Sequence, residues 1–344
     1  MDTRAEAKER WSAMVEMLAV VGQQACDVRF YDAGSYELVG KVDVPPQPHE
    51  AAYDSKRRLV YVSHTYDSGW YFEHPAKGHL VSVIDVDTRV VVRTIDLAPE
   101  NGPHDLRLDD ANDVLYVSVE ATATEPGALL AVDPDTGEVR RRIAAEAPGP
   151  HWFAMTADGR RAYTSNKEAP FLSVVDIEDG RMAGRVEVPG SEGIAFAGGK
   201  VFVAAPVLAP GPSRGETGLR VIDTATDEIV GTVWTEHRIS AVHATAGGLV
   251  LAAEMRAEWT EGDITHQNGL LHVYDAATVE EIATVPIGTG VLTIRSTSDG
   301  ATAYVANAFT GTVTVIDLRA FEAVHTIEAG AGAHGLAWIP AVTG

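Results

Sequence analysis

The stretch HWFAMTADGRRAYTSNKEAPFLSVVDIEDGRMAGRVEV, residues 151–188, contains four short apolar runs separated by polar turns. HWFAM, RAYTSN, FLSVVDI and MAGRVEV are five to seven residues long and rich in β-branched and aromatic side chains, so they read as strands. TADGR and EDGR between them carry turn chemistry. Four strands in one short unit describe a blade of a β-propeller.

The unit recurs in both directions. Second strands appear as LVYVSH (59–64), VLYVSV (114–119), KVFVAA (200–205), LVLAAE (249–254) and TAYVAN (302–307). Third strands appear as ALLAVD (128–133), GLRVID (218–223), LLHVYD (270–275) and TVTVID (312–317). Six full units start near His49, His104, His151, Glu192, Ala241 and Leu292. A seventh is split: GAHGLAWIP (332–340) supplies its inner strand, while MLAVVGQ (17–23), DVRFYDA (27–33) and LVGKVDV (38–44) supply the rest. Closing the ring with strands from both ends removes exposed sheet edges. The expected fold is therefore all-β, a seven-bladed propeller forming one domain over 18–344. A short amphipathic helix is expected over 1–17, on the spacing of Trp11, Met14, Val15 and Leu18.

The tetrapeptides YVSH, YTSN and YVAN, with the turns DVDTRVV, DPDTGEV and DTATDEI, resemble those of the YVTN-type seven-bladed β-propellers over nearly all of 18–340. That resemblance implies the fold and, from the group's functional members, lactonase-like or lyase-like chemistry. A propeller by itself implies no single activity.

Acidic residues outnumber basic ones 49 to 27, for a net charge of -22. Such a surface repels phosphate backbones and anionic lipids, which argues against nucleic-acid and membrane partners; the expected partner is a small-molecule substrate at the channel mouth. The charged N-terminus lacks a secretory leader pattern and no apolar run approaches a membrane span, so a cytoplasmic location is expected. Cys26 is the only cysteine, which excludes an internal disulfide and a thiolate metal cluster. No G-x-S-x-G elbow, phosphate loop or H-E-x-x-H helix is present.

Chemistry is concentrated where units begin. PPQPHE, NGPHDL and APGPHW place a histidine after proline at the same point of three successive units. In a propeller these positions ring the central channel, and aligned they are His49, His104, His151, Glu192, Ala241 or a near neighbour, Leu292 and His334. Because the seventh blade adjoins the first, His334, His49, His104 and His151 form one arc with Glu192 beside it. Four imidazoles and a carboxylate converging in a dry channel point to a divalent transition metal: iron, zinc or manganese. Glu192 is a candidate ligand or general base. His243, two residues deeper in its strand, and Glu254, at the end of a second strand, are further catalytic candidates. Glu120 and Glu254 are expected to orient the ligands, in preference to Glu50 and Asp105, because adjacent strand residues point to opposite sides.

Insertions 64–79, 206–217 and 254–269 lie between second and third strands, on the same face as these histidines. His64, Tyr66, Trp70, Tyr71, Phe72 and Arg256 are the candidate substrate contacts; His64 also stands where sister units carry a structural Asn. The leading reading is a metal-dependent hydrolase or lyase. The four-histidine arc also resembles the iron site of carotenoid-cleaving oxygenases, and a non-catalytic binding propeller with a structural histidine ring stands as the third reading.

Overall fold

Strands such as Leu59–Tyr66 and Phe171–Asp176 are buried along almost their whole length, so each must be covered on both faces. Outermost strands such as Val90–Asp96 and Arg181–Glu187 alternate between exposed and covered residues. Sheets of that kind are wedges stacked against one another. The computed structural model describes residues 15–69, 71, 76–206, 216–260 and 263–342, and the side chains of all of these except 258–264.

Seven antiparallel four-stranded sheets make up the ring. Blade 1 runs outward from the channel through Pro48–Asp54, Leu59–Tyr66, Lys77–Asp85 and Val90–Asp96. Blades 2 to 6 follow with inner strands Leu106–Asp109, Pro150–Met155, Ile194–Ala197, Ile239–Ala244 and Val291–Ser296. In blade 7 the C-terminal strand Ala333–Ile339 lies innermost and pairs with Met17–Gly22, which is followed by Asp27–Asp32 and Leu38–Asp43. Its inner strand contacts those of blades 6 and 1, so the ring closes. A two-stranded hairpin, Ala257–Thr260 with Asp263–His266, is inserted in blade 5.

The helix expected over 1–17 requires correction. Residues 1–14, including Trp11 and Met14, lie outside the described residues, and Met17 already begins a strand. All six residues of Met17–Gly22 are buried, a two-sided burial that an amphipathic helix would not show. No helix is present among the described residues.

The core lies between blades rather than within them. Met17, Val28 and Phe30 of blade 7 pack on Val60, Val62 and Ile84 of blade 1. Tyr61 and Val81 of blade 1 in turn pack on Leu115 and Val117 of blade 2. The polar turn between third and fourth strands has one construction throughout. Asp85, Asp133, Asp223, Asp275 and Asp317 each accept the N–H three residues on. The turn then closes on a residue of positive φ, among them Arg89 at 56° and Gly137 at 80°. That is the physical content of the turns DVDT, DPDT, DTAT and DAAT in the sequence; in DLRA alanine stands in the threonine's place.

Truncating a side chain in the blade 7–blade 1 interface tests this account. Phe30, fully buried, should lose about 3–5 kcal/mol on conversion to alanine. Leu38→Ala, at a side chain 55% exposed, should stay within about 0.5 kcal/mol. Urea unfolding of both variants checks the contrast.

Candidate metal centre

The first residues of the inner strands depart from regular pairing. Register shifts fall between Pro48 and Ala51, Pro150 and Phe153, Ile239 and Ala241, and Val291 and Thr293. Pro48, Pro103 and Pro150 have no N–H to give a ladder, and an extra residue enters the strand at each shift. Two consecutive side chains can then face the channel, as His49 and Glu50 do. This overturns the expectation that Glu50 must point away from the histidines.

Two serines of the second strands set the spacing between blades. Ser63 Oγ accepts the Glu50 N–H at 3.1 Å and donates to the carbonyl of His104 in the next blade at 2.7 Å. Ser118 Oγ repeats this with the Asp105 N–H at 3.0 Å and the His151 carbonyl at 2.6 Å. Between blades 7 and 1 a glycine does the equivalent work by absence. A Cβ on Gly335 would lie 2.4 Å from the His49 carbonyl oxygen, so only glycine lets His334 and His49 come together.

The result is a row of imidazoles. Ring centroids are 3.9 Å apart for His334 and His49, 4.3 Å for His49 and His104, and 3.4 Å for His104 and His151. His49 Nε2 and His104 Nε2 are separated by 2.8 Å. His49, His104 and His151 can each present a ring nitrogen within 4.8 Å of the other two. His334 stands outside that triangle, its Nδ1 lying 3.4 Å from Glu50 Oε1.

These three rings are suited to a metal ion. Burial, reinforced by the neighbouring imidazoles and the Lys167 ammonium, holds His49, His104 and His151 well below the usual histidine range, so they are neutral donors. Nδ1 of each is buried without a hydrogen-bond partner. The 2.8 Å between His49 Nε2 and His104 Nε2 is a hydrogen-bond distance, one neutral ring donating and the other accepting. The His104–His151 approach is tighter than the roughly 4.5–7 Å that aromatic rings prefer, so ring packing alone does not account for it.

A charged tier underlies the rings. Glu50 is fully buried and accepts hydrogen bonds from Trp152 Nε1 at 3.1 Å and Thr293 Oγ1 at 3.0 Å. Burial pushes its carboxyl up, but His334, Arg295 and Thr293 together outweigh that and hold it below the usual range. Asp105, also fully buried, is raised chiefly by burial and pairs with Arg107 at 3.2 Å. His243 belongs to this tier. Burial and the Arg295 and Arg107 charges lower it to about 3, and its Nε2 meets Ser296 Oγ at 3.0 Å.

Above the rings a cavity of about 280 Å³ opens at the channel mouth, lined in part by His49, His151, His334, Glu192, Ser240 and Leu292. The ring member in blade 5 is therefore Ser240, one residue before the expected Ala241. Glu192 is paired with Lys167, Nζ to Oε1 2.7 Å, and both are buried. Lys167 also sits 4.3 Å from the Tyr71 ring centre, and the Tyr71 hydroxyl donates to Glu168 Oε1 at 2.8 Å. Sequence reasoning missed Lys167 and Arg238, which also line the cavity. The available signal for Lys167 was a lysine directly after the second strand, in YTSNK.

The remaining candidates lie elsewhere. His64 does not line the cavity: its Nδ1 meets the Pro46 carbonyl at 3.0 Å and its Nε2 meets Ser82 Oγ at 2.8 Å, inside the blade. Tyr66 is buried below the mouth, edge-on to His49, with its hydroxyl 3.3 Å from Glu120 Oε1. Glu120 is also bound to Lys77 at 2.8 Å. Glu254 accepts the His237 N–H at 2.8 Å and lies 3.7 Å from His272 Nε2. The carboxylate found against the histidine row is thus Glu50, beside His334, rather than Glu120 or Glu254. Arg256 is not among the lining residues, and Trp70 and Phe72 lie outside the described residues.

No protein-family profile and no curated protein matches the chain. Among solved structures it is similar to hydrazine synthase of Kuenenia stuttgartiensis, with a TM-score of 0.69 and 17% identity over 88% of this chain and 92% of that one. It is also similar to dihydro-heme d1 dehydrogenase NirN in complex with DHE, with a TM-score of 0.63 and 15% identity over 93% of this chain and 74% of that one. At such identities the likeness shows the seven-bladed propeller fold alone.

His64 yields a pH prediction. Burial lowers it from an ordinary 6.5 to about 4, against opposing backbone hydrogen bonds. The unfolded chain therefore takes up this proton first, and stability falls as pH drops from 6.5 towards 4, by about 3 kcal/mol from this one group. Asn166 and Asn307 fill the equivalent positions and bond Ser173 and Thr314 there. His64→Asn should keep the fold and remove that part of the acid sensitivity, measured by urea unfolding at pH 7 and pH 4.5.

Proposed function

We propose that this chain is a metal-dependent enzyme of the YVTN-type propeller group. It acts on a small organic molecule at the channel mouth by hydrolytic or lyase chemistry, in the cytoplasm. The observation that carries the reading is the triangle of His49, His104 and His151, three buried neutral imidazoles that each bring a ring nitrogen within 4.8 Å of the other two and leave Nδ1 without a hydrogen-bond partner. Three nitrogens with a carboxylate nearby suit zinc, iron or manganese. When bound, such an ion supplies Lewis acidity towards a substrate oxygen or water.

The chain's own residues supply the rest. Glu192 sits on the cavity wall with Lys167 as its counter-charge and serves as the proton acceptor. Trp152, Leu292 and Met255 give the cavity an apolar wall that excludes water from the reacting atoms. Glu50 holds His334 beside the triangle and, through Trp152 and Thr293, ties the tier below across three blades. The two solved structures named above are called a synthase and a dehydrogenase, which supports catalysis as a use of this fold. His334 outside the triangle favours three histidine ligands over the four of the oxygenase-like reading.

Elemental analysis of untagged protein tests this directly. About one equivalent of a transition metal per chain is expected in the wild type, and none in His49→Ala/His104→Ala that keeps its β-rich circular dichroism. A wild type that stays metal-free after reconstitution with zinc, ferrous iron and manganese leaves a binding propeller with a structural histidine row.

A further inference from the structure

We infer that the channel mouth selects small organic anions of the carboxylate class, with Lys167 as the residue that reads the negative charge. This deepens the metal-enzyme reading and rests on it.

The chain carries a net charge of -22, a field that repels anions over most of the surface. The cavity wall is different. Its described lining has two side chains of permanent positive charge, Lys167 and Arg238, and one carboxylate, Glu192. Lys167 is only 6% exposed, with Nζ held between Glu192 at 2.7 Å and the face of Tyr71 at 4.3 Å. A buried pair of this kind gains little stability over two apolar side chains of similar volume, so folding alone gives no reason for placing it on the wall. Binding does give a reason. An anion entering the cavity meets an ammonium already desolvated and oriented, which it shares with the Glu192 carboxylate 2.7 Å away.

Lys167, His49 and His151 line the same cavity, so a molecule held at the ammonium also meets the rings. A carboxylate at Lys167 leaves the adjoining part of the molecule facing the histidines, and the apolar body rests on Leu292, Met255 and Trp152. A cavity of about 280 Å³ limits that body to metabolite size.

Two isosteric pairs test the inference: benzoate against benzamide, and butyrate against butyramide. Each is titrated calorimetrically into purified protein whose metal content is measured on the same sample. Wild type should bind at least one of the carboxylates about tenfold or more tightly than its amide. Lys167→Met/Glu192→Gln removes both charges while keeping their volumes, so no charge is left buried alone, and the preference should vanish. Equal affinities, no binding of any probe, or a preference that survives in the double variant overturns the inference; the last outcome assigns selection to the metal instead. Metal present without anion preference sinks this inference alone. Anion preference in protein that stays metal-free after reconstitution sinks the metal reading and leaves Lys167 as the selector.

Discussion

At the channel mouth the hydroxyls of Ser63 and Ser118 each hold two inner strands at once, accepting from one and donating to the carbonyl of a histidine in the next. A buried hydroxyl satisfied on both sides is strongly directional, and here the direction runs across blades. The distance between His49, His104 and His151 is set by these bonds rather than by ring-to-ring attraction. The register shifts beside the prolines add the second requirement. They let His49 and Glu50 face inward together, so a row of neutral rings lies directly over a charged tier.

That stacking divides the channel electrically. Above, burial keeps the rings uncharged; below, Glu50, Asp105, Arg107 and Arg295 form a compensated layer in which Trp152 and Thr293 satisfy the carboxylate of Glu50. Neither layer tolerates an extra unpaired charge. In the proposed reading, an ion at the three ring nitrogens and a carboxylate at Lys167 are the two additions this arrangement would receive.

Much of this was readable in the sequence because the repeat carries it. Strand spacing and the D-x-x-T turns define the blades, and aligning blade starts brings His49, His104, His151, Glu192 and His334 to one ring without any knowledge of contacts. What escaped depends on departures from the repeat. Glu50 was discounted because regular alternation sends neighbours to opposite faces, and a bulge cancels that rule. Ser63 and Ser118 read as ordinary strand residues, since their partners are backbone atoms of another blade. Lys167 lies one residue past a strand end and acquires meaning only through Glu192, twenty-five positions on. His64 had two readings, substrate contact or the place of a structural asparagine, and its bonds to Pro46 and Ser82 inside the blade match the second.

The split seventh blade governs the order of events during synthesis. Met17–Gly22 pairs with Ala333–Ile339, which is made only after every other strand of the ring. Until then the growing chain is an open arc with an unpaired strand at each end and a channel accessible from the side. His49, His104 and His151 are all present long before the wall around them is complete. Ala333–Ile339 thus does two things at once: it closes the ring and it brings His334 beside His49.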